Sequence, residues 1–473
     1  MSEKKYDLIA IGAGPANVFL LLELHFLGVL KGLNVLCIEL GSDLKHRICP
    51  AEKNGVCRHC KNCSKKGGFS GQGAFSDGKL TLIRPDATAI PVGGKLEEVL
   101  GLELAKAIIL CTDQYYLKFG ADPHIEGLEN QKDKRKIINK AFLAGLQVLD
   151  NPVRHLGTEK ARELYGRIYQ VLVDNGVNFV FNTKVNNLIV EGNTVKGVVA
   201  SDLLGKCEQE YFSDIVVSGV GRNGSEWLKS MCEQHSIMCR PGVIDIGVRY
   251  ELPDSVMALA NKLFYEFKVV GNFPPYGDKV RTFCMNPSGY VSVDPYDDGI
   301  FGVNGHSYKD QKSTNTNLAL LVSRQFINIT DPIKLGKNIT ESMNIIGGGN
   351  PIVQRLGDIG YRGTWPTALE SNSVRPTLTS AVPGDITDVL GGRITTNIVK
   401  FIYAMDKVIP GFAGPDNLLY AVETKLYSNE VVLDSELKTS LNGFYAIGDG
   451  GGLTRGLIQA SASGVQLARY LFK

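Results

Sequence analysis

The chain has 473 residues, 44% of them apolar and 21% charged, and its 51 basic and 49 acidic residues leave a formal net charge of +2. That is the composition of a globular protein long enough for two domains. The near balance of charge implies no basic face of the kind a nucleic-acid partner needs, and no such partner is expected. The N-terminal MSEKK runs straight into an apolar strand, which leaves no room for a signal peptide. The most apolar helical stretch, residues 18–30, carries Glu23 and His25 and is too short for a membrane span. A cytoplasmic protein without membrane contact is expected.

Residues 8–11 form a short apolar run of the kind a buried parallel strand requires. Gly12-Ala13-Gly14-Pro15-Ala16-Asn17 then turns the chain into the helix 18–30. This is the strand–turn–helix context of a dinucleotide site. Gly12 permits the tight turn, Gly14 admits the pyrophosphate to the helix N-terminus, and Pro15 suits the first helical turn. Asn17 stands where a third Gly or Ala is usual, so a wider helix–strand contact is expected. A second strand, residues 34–40, carries Glu39, whose carboxylate suits ribose hydroxyls.

Residues 41–78 show no sustained periodicity, and a loop of that length is usually functional. It contains Cys49, Cys57, Cys60 and Cys63, spaced C-x7-C-x2-C-x2-C. Zinc, an iron–sulfur cluster, a redox dithiol and plain packing thiols are all compatible with that spacing. The loop ends in glycines at 67, 68, 71, 73 and 78, which free the backbone to wrap closely around a ligand.

Helical periodicity runs from 96 to about 149, and a further amphipathic helix covers 159–175. Short strands at 177–181, 185–190 and 195–200 suggest a β-meander, and 214–220 is another buried strand. Longer alternating strands from 240 to 308 indicate antiparallel sheet. Residues 317–328 and 394–407 read as helices. Gly347-Gly348-Gly349 is not a second nucleotide loop, because Ile345-Ile346 is too short a strand and Pro351 follows. Without a second glycine fingerprint, either NAD(P)H binds only as a transient donor or electrons pass to and from another partner. Residues 443–447 form a strand that enters Gly448-Asp449-Gly450, and a last helix follows Thr454-Arg455-Gly456.

Taken together, GAGPAN with Glu39, the strand DIVVSGVGR, the segment NGFYAIGDG and the helix TRGLIQASASG resemble FAD-dependent oxidoreductases with the glutathione-reductase-like FAD fold. Cys49-Pro50 with Cys57, Cys60 and Cys63, AFSDGKLT, Gln354 to Asp358, Arg375-Pro376-Thr377 and Val422-Glu423-Thr424 resemble one branch, the uncharacterised FAD-dependent dehydrogenases. This chain has Asn286-Pro287-Ser288-Gly289 where that branch reads Cys-Pro-Gly-Gly, and Asn304-Gly305-His306-Ser307 where it reads Asn-Gly-Met-Ser.

The resemblance implies an α/β fold in which a discontinuous Rossmann-like FAD domain (1–90, 150–235 and 435–473) receives a helical segment (91–149) and an inserted, largely antiparallel α+β substrate domain (236–434). It implies cofactor contacts from Gly12, Gly14, Pro15, Ala16, Asn17, Glu39, Gly73, Ala74, Phe75, Ser76, Lys79, Val185, Gly219, Gly221, Gly448, Asp449, Arg455, Gly456 and Leu457. FAD would supply hydride chemistry at N5 toward a small organic substrate. Lys79 and Arg455 are candidate cations beside it. His306 and Glu423 are candidate acid–base groups, with Tyr290 and Arg249 as further substrate contacts. Monooxygenation, and electron transfer to a protein partner through the cysteine loop, are the alternative readings.

Overall fold

The computed structural model describes all residues except 1–4, 50–62, 66, 74, 76–77, 85–86, 88, 91–93, 265, 297–298, 309–310, 325–330, 362, 427–428 and 473. The chain forms two compact units, one from residues 1–126, 151–240 and 428–473, the other from 127–150 and 241–427.

The first unit is built on a five-stranded sheet. Its strands are β1 (Leu8–Ile11), β2 (Val35–Ile38), β3 (Asn178–Val180), β4 (Val216–Ser218) and β5 (Phe444–Ala446), in the order β5-β4-β1-β2-β3. Every neighbouring pair is parallel. The continuous apolar runs follow from burial on both faces. Leu8, Ala10, Val35 and Cys37 enter one core with the helices α1 (Pro15–Phe26) and α2 (Leu457–Leu471). Ile9, Ile11, Leu36 and Ile38 enter another, closed by helix Ser225–Gln234 and by the strands Thr183–Glu191, Thr194–Asp202 and Glu208–Phe212.

Those three strands are the meander. Residues 177–181 do not belong to it: β3 pairs with β2 instead, and the Glu39 N–H donates to the Val180 carbonyl at 2.9 Å. The polar groups along the outer edge of β2 need partners, and the run at β3 supplies them.

The second unit holds an eight-stranded sheet. Its order is Val382–Pro383, Ile352–Arg355, Leu418–Leu426, Ile244–Pro253, Asn315–Arg324, Lys279–Asn286, Lys268–Asn272 and Leu146–Leu149. All its pairs are antiparallel except that between Ile352–Arg355 and Val382–Pro383. The region expected to be helical up to about 149 therefore ends in a strand, Leu146–Leu149. The helix expected at 317–328 is likewise a strand, Asn315–Arg324, paired on both sides. The run Leu318–Val322 is apolar throughout because it is central and covered on both faces, and such a run carries no period to separate strand from helix.

Ile244–Pro253 is buried along nearly its whole length, yet its two faces differ. Ile246, Val248, Tyr250 and Leu252 join the apolar core with Phe401, Ile402 and Met405 of helix Thr387–Asp406. Asp245, Arg249 and Glu251 point to the opposite face. Among the described residues, no helix is long and apolar enough to cross a membrane.

Candidate functional site

In the first unit the carboxyl ends of four strands lie side by side. The Gly12 N–H donates to the Ile38 carbonyl, Gly219 N–H to Ile11 and Ile447 N–H to Ser218, at 2.7, 2.9 and 2.9 Å. Parallel pairing thus brings Gly12 and Gly14, Glu39, Gly219 and Gly221, and Gly448 and Asp449 to one edge. That is where open parallel sheets bind ligands. Gly12 has φ +88°, and a Cβ on it would stand 3.3 Å from the Gly219 carbonyl oxygen. Pro15 is the first helical residue of α1, and no described side chain caps that helix N-terminus.

Asn17 corrects an expectation. It does not widen the helix–strand contact. Its side chain is buried and its amide donates to the Ile11 and Gly12 carbonyls at 2.9 and 2.8 Å, which ties the helix to the end of β1. Space comes from Gly219, whose added Cβ would lie 2.5 Å from the Asn17 amide. Close approach of α1 to α2 is likewise secured elsewhere, at Gly464, where a Cβ would stand 1.9 Å from the Ala16 carbonyl oxygen.

Glu39 is held by backbone. Oε2 accepts from the Ala13 N–H at 2.7 Å, and Oε1 accepts from Gly41 and Gly68 at 2.8 and 2.9 Å. One carboxylate therefore joins the glycine turn, its own strand end and the long loop. The loop's Ser70 N–H also donates to the Ala13 carbonyl at 2.7 Å. Its glycines close largely on the protein itself. A Cβ on Gly68 would stand 2.5 Å from Arg47 Cδ, and one on Gly73 would stand 2.7 Å from the Tyr165 hydroxyl.

Arg47, which sequence reasoning did not single out, is the fully buried centre of that loop. It donates to the carbonyls of Ser64, Phe69 and Lys65 at 2.9, 2.5 and 3.3 Å. Burial pushes its guanidinium down to about 10, partly opposed by Glu39. Phe75 lies against the Arg47 and Arg162 guanidinium groups, 4.0 and 4.2 Å from its ring centre. A lone Arg in an irregular loop has no sequence signal of this role.

Asp449 sits at the entry to α2, accepting from the Thr454 hydroxyl at 2.7 Å and from the Gly456 N–H. Burial nonetheless raises its carboxyl above the usual range. Gly456, at φ +102°, is the N-cap of α2, and Leu457 is its first residue. Arg455 is half-buried, and its N–H donates to Gln459 Oε1 at 3.3 Å. Lys79 is exposed on strand Lys79–Thr81, opposite His155. Val185 packs into the core around Ile38. Ala74, Ser76, Cys57 and Cys60 lie outside the described residues. Cys49 and Cys63 are half-buried free thiols, and Cys63 stands near enough to Arg47 to favour its charge.

The second unit gathers a different cluster on the polar face of its sheet. Arg249 and Glu423 are fully buried and 3.4 Å apart. Arg249 also donates to Asn317 Oδ1 at 2.7 Å, to the Cys284 carbonyl at 2.6 Å and to Asn286 Oδ1. Asn286 continues to the Ser307 hydroxyl at 3.0 Å. Lys425 Nζ stands 3.0 Å from Glu423 Oε1, outside hydrogen-bond geometry. Among the described residues, Glu423 Oε1 and Asn317 Nδ2 lack hydrogen-bond partners although buried. Gly305 is obligatory, since a Cβ there would stand 1.8 Å from Arg249 Nη2. Next to it, His306 is exposed, its ring 4.4 Å from that of Tyr308 and its backbone opposite Tyr290.

Glu251, two residues beyond Arg249, anchors a second part of this face. It accepts from the Thr377 and Tyr420 hydroxyls, both at 2.5 Å, and from the Asn315 amide at 3.1 Å. Burial outweighs these bonds and raises its carboxyl above the usual range. Sequence reasoning missed Glu251, although the alternation of Asp245, Arg249 and Glu251 with apolar residues is a signal that could have found it.

Residues 249–426 match a family model described as FAD-dependent protein, C-terminal domain-like. A Clostridium beijerinckii protein described only as uncharacterized is 24% identical over 493 residues, covering 100% of this chain and 81% of its own. Among solved structures, E. coli quinol fumarate reductase FrdA is similar at 11% identity, covering 99% of this chain and 70% of its own, with a TM-score of 0.45. Formate oxidase is similar at 13% identity over 99% and 98% of the two chains, with a TM-score of 0.45. L-proline dehydrogenase from P. horikoshii is similar at 12% identity over 99% and 94%, with a TM-score of 0.39.

Proposed function

We propose that this protein is an FAD-dependent oxidoreductase that passes hydride between the flavin and a small organic substrate. The observation that carries the reading is the edge of the parallel sheet. Four strand ends there align Gly12 and Gly14, Glu39, Gly219 and Asp449 beside a helix N-terminus that no described side chain caps. The orphaned Ser218 hydroxyl, buried at the end of β4, adds an unsatisfied polar group on the same edge. These residues fit a dinucleotide. The helix terminus and Gly14 would receive the pyrophosphate, Glu39 a ribose, and Asp449 the hydroxyls of the ribityl chain. The matched family model supports the same cofactor.

When bound, FAD supplies two-electron chemistry; the chain supplies position and protons. On the second unit, Glu423 Oε1 and Asn317 Nδ2 offer an acceptor and a donor to a polar substrate, and Arg249 holds both side chains in place. His306 is proposed as the proton-transfer group, being exposed next to Gly305, where an added Cβ would meet Arg249. Lys79 and Arg455 are proposed as cations near the cofactor. The cysteine loop is proposed as a metal or cluster site.

Purified full-length protein should be yellow, and acid precipitation should release FAD rather than FMN. A colourless protein that cannot be reconstituted with FAD would refute the proposal. Zinc, iron and acid-labile sulfide assays on anaerobically purified protein test the loop; absence of all three removes the metal reading.

A further inference from the structure

Away from the dinucleotide edge, the first unit holds two cysteines that face each other. Cys232 is buried in the last turn of helix Ser225–Gln234, and Cys239 is half-buried in the short strand Cys239–Arg240. The chain reverses tightly between them. The Ile237 N–H donates to the Cys232 carbonyl at 2.8 Å and the His235 N–H to Met231 at 3.0 Å, while Ser236 adopts φ +53°. Both side chains enter one apolar core with Ile237, Val431 and Phe444. The two thiols lie close enough to interact with each other.

We propose that Cys232 and Cys239 are a redox-active dithiol that closes to a disulfide on meeting a hydroperoxide. The two members are differentiated as such a pair requires. Contact with Cys239, together with burial, pushes the Cys232 thiol up. Cys239 is also the more accessible of the two. Its thiolate attacks one peroxide oxygen: an S–O bond forms, the O–O bond breaks, and the departing oxygen leaves as water after protonation. The Cys232 sulfur then attacks the Cys239 sulfenic acid. The S–S bond forms, the S–O bond breaks, and the hydroxide takes the Cys232 proton to leave as a second water. Two thiols and one hydrogen peroxide become one disulfide and two waters.

The pair also has a mechanical setting. Strand Cys239–Arg240 pairs with Glu430–Val431, and the Val431 N–H donates to the Gly451 carbonyl at 2.9 Å. A disulfide would staple the end of helix Ser225–Gln234 to this ladder and so to the loop after Asp449. Any effect on FAD rests on the function proposed above; formation of the disulfide does not.

The test is peptide mass mapping of the full-length protein after hydrogen peroxide treatment, alkylation with N-ethylmaleimide and non-reducing digestion. The expected product is a Cys232–Cys239 cross-link that accounts for most of the Cys239 signal, lowers the free-thiol count by two and reverses with dithiothreitol. In Cys232→Ser, Cys239 should instead be trapped by dimedone as a sulfenic acid. Three results on the wild-type protein would overturn the proposal: both thiols remaining alkylatable, Cys239 oxidising to sulfinic acid without pairing, or Cys239 pairing with a different cysteine. The wild-type mapping is read equally on flavin-loaded and flavin-free protein, so a failure to bind FAD does not change how its result is interpreted.

Discussion

Replacing Glu39 by Ala separates two roles for this carboxylate. If it served only a ribose, the change would weaken cofactor binding and leave the cofactor-free protein as stable as before. In the structure it accepts three backbone N–H bonds, from Ala13, Gly41 and Gly68, in a site only 7% exposed. Hydrogen bonds to a charged group contribute about 1.5–3 kcal/mol each, and an orphaned buried donor costs about 1–3 kcal/mol. Three such losses sum to roughly 4–9 kcal/mol before relaxation. Water can reach Gly41, which is half-buried, so a net loss of about 3–6 kcal/mol is expected. That is a large part of the ~5–15 kcal/mol that holds a typical protein folded.

The assay is urea unfolding of cofactor-free protein followed by tryptophan fluorescence. The chain has two Trp, Trp227 in the first unit and Trp365 in the second, so Trp365→Phe leaves a reporter for the unit that contains Glu39. With a urea slope of ~2 kcal/mol per M, the midpoint should fall by about 1.5–3 M. Glu39→Gln keeps one carbonyl oxygen and should lose roughly half as much. A Glu39→Ala midpoint within about 0.3 M of the parent would refute the anchoring role assigned here.

Gly464→Ala drives a methyl to 1.9 Å from the Ala16 carbonyl oxygen and should separate α1 from α2, at a cost of about 1–3 kcal/mol or more, read by thermal unfolding. Gly305→Ala should displace Arg249 and leave Glu423 buried with Lys425 as its remaining cation, costing the second unit about 1–3 kcal/mol in the same experiment with Trp365 as reporter. Glu251 has a raised carboxyl in the folded state, so the fold binds a proton that the unfolded chain has already lost above the ordinary value of 4.5. Its contribution is therefore complete below that pH and is lost as pH rises through the folded value. Glu251→Gln should flatten the fall in Tm on that limb, and an unchanged slope would argue against the assignment.

Much of the first unit was legible in the amino-acid order. An apolar four-residue run, a glycine turn and an apolar helix allow little except a parallel strand buried on both faces, because each constraint is local. Gly12, Gly14 and Pro15 could be placed for the same reason: a tight turn, close approach and a helix start are properties of a few consecutive residues. The second unit's central strands were half legible. Period-two alternation marked Ile244–Pro253, but the centre of Asn315–Arg324, Leu318 to Val322, is apolar throughout and carries no period, so its residues read as a helix.

The partners of the polar groups were decided only by tertiary structure. Glu39 looks like a ribose ligand from its place at a strand end, and nothing in its neighbours announces that Ala13 and Gly68 will turn their N–H groups to it. Asn17 looks like a misfit until the Ile11 and Gly12 carbonyls are set beside it. Arg47, Glu251 and the Cys232–Cys239 pair gain their character from burial, and burial depends on residues up to some two hundred positions away, as Glu430–Val431 beside Cys239 shows. Local order sets which backbone shapes are allowed. Which donor meets which acceptor is a long-range outcome, because a buried polar group is satisfied by whatever the packed chain brings within about 3 Å of it.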